Sequence, residues 1–186
     1  PMSRPVYYDR IEDLVEDSLA AVGRKVVLAV PIGAGQPVHL VNEFYRRAKA
    51  QSSISLTILS GLTLEPPRPK TELERRFWAP VIERIYPGVP SPAYVADARE
   101  GNLPDNVVLR EYYVRPGAFF NVPAIQQNYC SSNYTHISRD MNAAGANVGA
   151  AQIAEGSIDG RCLFSISSNA SASLDLIDML EKRRTR

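Results

Sequence analysis

Three short turns carry the residue types that chemistry could use. The first is Gly33-Ala34-Gly35-Gln36, the second Ser60-Gly61-Leu62-Thr63, and the third Ser165-Ile166-Ser167-Ser168-Asn169-Ala170. Each follows an apolar, strand-like run and precedes a helical pattern or a loop. In an open α/β sheet, ligands bind beyond the carboxyl ends of the strands. Glycine there lets the backbone approach a ligand closely. A helix N-terminus adds free N–H groups and the positive end of its dipole, which together stabilise an anion or a carbonyl oxygen. The third glycine of a dinucleotide-binding fingerprint is absent, because Gly35 is followed by Gln36, Pro37 and Val38. The pattern alone therefore weighs equally for a tight turn without a ligand. Ser167, Ser168 and Asn169 suit a ligand contact, although helix capping is the commoner use of such residues.

The usual catalytic groups are scarce. There are two histidines, His39 and His136, neither beside a cysteine or carboxylate signature, and a structural role in a half-buried setting is expected for both. Cys130 and Cys162 lie in strand-like segments and are expected to pack in the core. Glu65, Glu100, Glu111 and Glu155 are candidate acids without a recognisable constellation. Nucleophile-elbow, Walker A, H-E-x-x-H and C-x-x-C patterns are all missing, so no metal site is expected.

The elements that would position the three turns alternate between helix and strand, which predicts a layered α/β chain. A first helix is expected from Asp9 to Val22, capped by Asp9 and stopped at Gly23. Lys25 to Val30 reads as a strand covered on both faces, as in a parallel sheet. Pro37 is expected in the first turn of a helix whose stripe is Val38, Val41, Phe44, Tyr45 and Ala48. Ile54, Leu56 and Ile58 mark a second strand, completing a right-handed βαβ unit.

Thr71 and Glu74 have capping-box spacing, ahead of a helix carrying Leu73, Phe77, Trp78, Val81, Ile82 and Ile85. Pro80 should kink or interrupt it. Between Pro87 and Asn128, prolines and glycines leave only Val107–Leu109 legible as a strand, and Tyr94, Tyr112, Tyr113, Phe119 and Phe120 are expected to pack under long loops. Further on, a strand is expected over 129–134 and a helix over 135–144. A small-residue buried strand follows over 148–154, then an Asp159-Gly160 turn and a paired strand over 162–166. A last helix, capped by Ser171 or Ser173, ends in Lys-Arg-Arg-Thr-Arg.

Composition sets the frame for these elements. The 186 residues include 21 basic and 20 acidic side chains, for a net charge of +1, which makes no case for nucleic acid as a partner. Hydrophobic residues reach 45%, enough to fold a globular domain. Two cysteines form no disulfide framework, no apolar run is long enough to cross a bilayer, and no signal-peptide core is visible. A cytoplasmic location is the expectation. The absence of a sheet element after the last helix leads to the expectation that residues 1–186 are an N-terminal fragment of something longer.

Val26 to Pro37, followed by Val38-His39-Leu40-Val41, resembles the opening of the acetyl-CoA hydrolase/CoA-transferase family, in which a first strand runs into a G-x-G-x-P loop and then a helix. The strand Ile54 to Leu59 with Ser60-Gly61 is similar to the family's second strand and small-residue loop. The stretch Asn147 to Asn169 resembles its small-residue strand, D-G turn and serine-rich loop.

The resemblance implies a three-layer α/β fold, mostly parallel and flanked by helices, shared with ribose-5-phosphate isomerase, and an active site between two related halves. A glutamate of the second half would attack a short-chain acyl-CoA thioester. A mixed anhydride and then a glutamyl-CoA thioester would form, and the acyl group would pass to a carboxylate acceptor or to water. Coenzyme A enters as substrate. No residue of this half is then the catalytic nucleophile. Gly33, Gly35, Gln36, Ser60, Gly61, Thr63, Ser167, Ser168 and Asn169 would line the pocket. An exposed docking face for the missing half would favour a homodimer. Two other readings stand beside this one. A sugar-phosphate isomerase or deaminase would hold phosphate at the G-x-G loop, although Arg46 and Arg47 lie too far along the helix to help. A non-catalytic binding module on the same fold is the other.

Overall fold

The computed structural model describes residues 5–168 and 171–184. Its centre is strand β1, Lys25–Ile32, whose residues 26–31 are all buried. Helix α1, Ile11–Val22, precedes it and ends at Gly23. The helix starts after Arg10, with no side-chain cap, rather than on Asp9. Arg10 instead ion-pairs with Glu12 at 3.6 Å.

The turn 33–35 then leads into helix α2, Val38–Ala50, with Pro37 at its N-cap rather than inside its first turn. The predicted stripe of Val38, Val41, Phe44, Tyr45 and Ala48 is buried throughout. Strand β2, Ser55–Gly61, returns parallel to β1, so the βαβ unit forms as its periodicity requires.

Helix α3, Glu72–Ile85, carries the full capping box. The Thr71 hydroxyl accepts from the Glu74 N–H at 3.2 Å, and Glu74 Oε2 accepts from the Thr71 N–H at 3.3 Å. It runs on through Pro80 without interruption. None of its residues is buried: Leu73 is 77% and Phe77 66% exposed. Its apolar stripe thus finds no core within the described residues.

Helix α4, Ala93–Glu100, was hidden among prolines, yet it buries Tyr94, Val95 and Ala98. Strand β3, Val107–Glu111, pairs parallel to β2. After the short helix α5, Pro123–Gln126, the expected strand at 129–134 is a loop. Ser132 turns away from any ladder and hydrogen-bonds the Asp140 carboxylate on helix α6, Ile137–Ala143.

Strand β4, Val148–Gly149, is two residues long and pairs with β1. The rest of the predicted 148–154 strand leaves the sheet after the Ala150 N–H donates to the Ala29 carbonyl at 3.0 Å. The sheet order is β3-β2-β1-β4, all parallel. Strands β5, Ala154–Ile158, and β6, Arg161–Ser165, form a separate antiparallel hairpin on the predicted Asp159-Gly160 turn, both of whose residues adopt positive φ. The hairpin is exposed along its whole length. Cys162 is therefore not a core residue; its thiol lies 3.3 Å from Glu155 Oε1.

Helix α7, Ser171–Arg184, closes the described chain, and the proposed caps Ser171 and Ser173 fall among side chains outside the description. Two apolar layers sandwich the sheet. Val26, Leu28 and Val30 face α1, α2 and α4, while Val27 and Ala29 face Ile137 and Met141 of α6 and Leu176 of α7. This is an α/β fold with a four-stranded parallel sheet between helices, consistent with three layers. Among the described residues no helix is long and apolar enough to cross a membrane.

Candidate functional site

The parallel register brings the first two turns together. Ile32 stands opposite Gly61, so the chain leaving β1 meets the chain leaving β2. Gln36 joins them. Its Nε2 donates to the Gly61 carbonyl at 2.8 Å, and its Oε1 accepts from the Leu64 N–H at 2.8 Å. Gln36 is 2% exposed, so its amide is a clamp between two loops. The Leu62 N–H donates to the Tyr113 carbonyl at 2.6 Å, and Leu62 holds a φ of 45°. A left-handed conformation at a non-glycine residue is costly and persists only where neighbours fix it.

The third strand brings in Glu111, one of the candidate acids, and supplies the constellation that its sequence neighbours do not show. Glu111 ends β3 directly opposite Ser60. The Ser60 hydroxyl donates to Glu111 Oε1 at 3.0 Å, and the Thr63 hydroxyl donates to the same oxygen. Glu111 is 2% exposed, and its Oε2 is buried without a hydrogen-bond partner. Burial pushes its carboxyl above the ordinary carboxylate range. The hydroxyls of Thr63 and Ser60 oppose that shift, and the negative charge of Glu65 adds to it. Glu65 itself is held by Arg99 at 2.8 Å and Arg68 at 3.3 Å. Tyr94 of α4 lies against the same hydroxyls, and burial followed by the Glu111 charge raises its phenol. The sequence signal that could have found Glu111 is a charged residue closing a β-branched core run.

Two cavities flank this turn at the carboxyl edge of the sheet. One, of about 580 Å³, lies on the α6 side, between Ile32, Leu62, Tyr112, Tyr113, Asn133 and Tyr134. The other, of about 200 Å³, includes Leu62, Thr63, Glu65, Tyr86 and Arg115. Leu62 belongs to both walls, so the β2 turn is their partition. A further apolar pocket of about 170 Å³ sits between β1, β4 and α7.

The third turn reaches the first through Gln152. The Gln152 N–H donates to the Gly35 carbonyl at 2.8 Å, and the Ser168 hydroxyl donates to the Gln152 carbonyl at 3.3 Å. Ser167 is exposed, its hydroxyl 3.0 Å from that of Ser165, and Asn169 lies outside the described residues. Gly33 is half-buried and Gly35 buried. Ser60 and Thr63 direct their hydroxyls inward to Glu111, and Ser60 is 2% exposed. These two hydroxyls tie the β2 turn to the end of β3.

His39 and His136 are both exposed, against the half-buried setting expected of them. His39 Nε2 lies 3.2 Å from the Gly88 carbonyl, on the flank of α2. Tyr94, Tyr112 and Phe119 pack as expected, whereas Tyr113 and Phe120 are exposed, Tyr113 on a cavity wall. Among the described residues no group of three or more His, Cys, Asp or Glu could hold a metal.

Fold and edge together define an α/β protein with a ligand-sized space beyond the carboxyl ends of parallel strands. No protein-family model, curated protein or solved structure matches the chain.

Proposed function

We propose that the chain is the N-terminal CoA-transferase-like domain of an acyl-CoA hydrolase or CoA-transferase acting on a short-chain thioester. Its part is to build pocket wall, and the nucleophilic glutamate belongs to a second domain of the same enzyme. One observation carries the reading: the turns after β1 and β2 and the end of β3 converge at one edge, locked by Gln36 and Glu111. That is where ligands sit in open α/β sheets. The inward hydroxyls of Ser60 and Thr63 fit a wall better than a reacting group.

The test is an NMR titration of the chain with acetyl-CoA, CoA and ribose 5-phosphate, alongside a free-thiol assay. Acetyl-CoA should shift the amides of residues 33–36 and 60–64, and no thiol should be released. Ribose 5-phosphate shifting those amides while acetyl-CoA does not would favour the isomerase class. Thiol release by this chain alone would place the nucleophile here and overturn the division of labour.

A further inference from the structure

Glu111 is a buried carboxyl group, and among the described residues no cation lies against it. Its Oε1 takes both hydroxyl donors and its Oε2 takes none. The charged or titratable groups that act on it are Glu65 just beyond the β2 turn, Tyr94 on α4 and Tyr112, the residue that follows it in the chain. None is a cation, and the arginines nearest in this network, Arg99 and Arg68, pair with Glu65. An anion placed here would bury one uncompensated oxygen beside a second negative charge. A neutral acid fits the same geometry: Oε1 serves as the carbonyl acceptor for Ser60 and Thr63, and the proton rests on Oε2.

We propose that Glu111 is the positioning residue of the strand-edge site: as a neutral acid it fastens the Ser60–Thr63 turn that divides the two cavities, and on ionising it lets that turn go. The raised carboxyl agrees with this assignment. The Ser60 and Thr63 hydroxyls would hold a carboxylate more firmly than an acid, so what opens the turn is the water that a buried charge on Oε2 demands. Leu62, with its left-handed backbone, is the residue on which the change would be felt, because it lines both cavities. The assignment does not depend on the acyl-CoA reading, since it concerns the turn with no ligand bound.

The experiment is a pH titration of the chain by NMR from about pH 4 to 9, following the Glu111 carboxyl carbon and the amides of Leu62 and Leu64. The Glu111 carbon should titrate above the ordinary carboxylate range, and both amides should move with the same midpoint. Glu111→Gln keeps a neutral acceptor, so the turn should stay in place and the amide titration should vanish. Glu111→Leu removes the acceptor, and exchange of the Leu62 and Leu64 amides should quicken about tenfold at every pH. Glu65→Gln should leave the titration present but at lower pH. A Glu111 carbon titrating in the ordinary range, or amides that still titrate in Glu111→Gln, would overturn the proposal. The wild-type carbon decides the matter even if a variant fails to fold.

Discussion

Gly61 and Tyr112 are in such close contact that a Cβ on Gly61 would stand 2.6 Å from the tyrosine Cε2. The tyrosine is held there by its hydroxyl, which donates to the Val30 carbonyl at 3.2 Å. Glycine at the end of β2 therefore serves close packing, since the ring occupies the space a side chain would need. Gly61→Ala should cost about 2 kcal/mol through overpacking, a loss of roughly 4–8 °C in Tm. Adding Tyr112→Leu should recover part of it. Thermal unfolding of the single and double variants checks this, and equal stability of Gly61→Ala and wild type would refute it.

Gln36 bridges two loops with both ends of its amide. Gln36→Met should leave the Gly61 carbonyl and the Leu64 N–H unpaired and cost roughly 2–4 kcal/mol. Gln36→Glu should be worse at neutral pH than at pH 4, because a carboxylate would face the Gly61 carbonyl. Denaturant unfolding at the two pH values is the measurement, and indifference to pH in the glutamate variant would count against the clamp.

Glu43, on α2, accepts from Arg46 at 2.6 Å and from Arg47 at 2.9 Å. The Arg46 bonds lead in holding its carboxyl below the usual range, with burial opposing and Arg47 assisting. A lowered folded-state value gives stability that is present above the unfolded carboxyl value and fades as pH falls through the folded one. Glu43→Gln should cost about 1–2 kcal/mol at pH 7, and the gap should narrow toward pH 3. Glu111 has the opposite sign. Its contribution is full below the ordinary carboxyl value and is lost as pH rises through its raised one.

Asn147 stitches β1 to the chain entering β4. Its Oδ1 accepts from the Val27 N–H at 2.8 Å, and its Nδ2 donates to the Lys25 carbonyl at 2.8 Å. Asn147→Ala should lose about 1–3 kcal/mol. Asn147→Asp, which retains the acceptor for Val27, should fall between the two. Hydrogen exchange at Val27 would report the loss locally, and protection unchanged in the alanine variant would contradict it.

Much of this was legible in the residues. The unbroken apolar run of β1, the 3.6-residue stripe of α2 and the Thr71–Glu74 spacing each encode a local geometry that the fold respects. α4 was not, because its eight residues stand between proline-rich segments and its apolar positions are few. Residues 148–154 misled by composition: small residues read as a buried strand, yet only Val148–Gly149 join the sheet and residues 151–154 are exposed. Cys130 sits in a loop because Ser132 and Asn133 favour turns, although its N–H still donates to the Glu111 carbonyl at 2.9 Å. At the site, the two turns can be located and Glu111 stands among the candidate acids, but their pairing is not legible. Ser60 and Glu111 are 51 positions apart, and only the order of strands makes them neighbours.

That same strand order has a consequence for synthesis. The Val27 edge of β1 is completed by Asn147, 120 residues later. At ribosomal speeds of about 5–20 residues per second, roughly 6–24 s separate the two. For that interval the nascent chain carries an interior strand of its sheet with one flank bare, open to mispairing until residue 147 emerges.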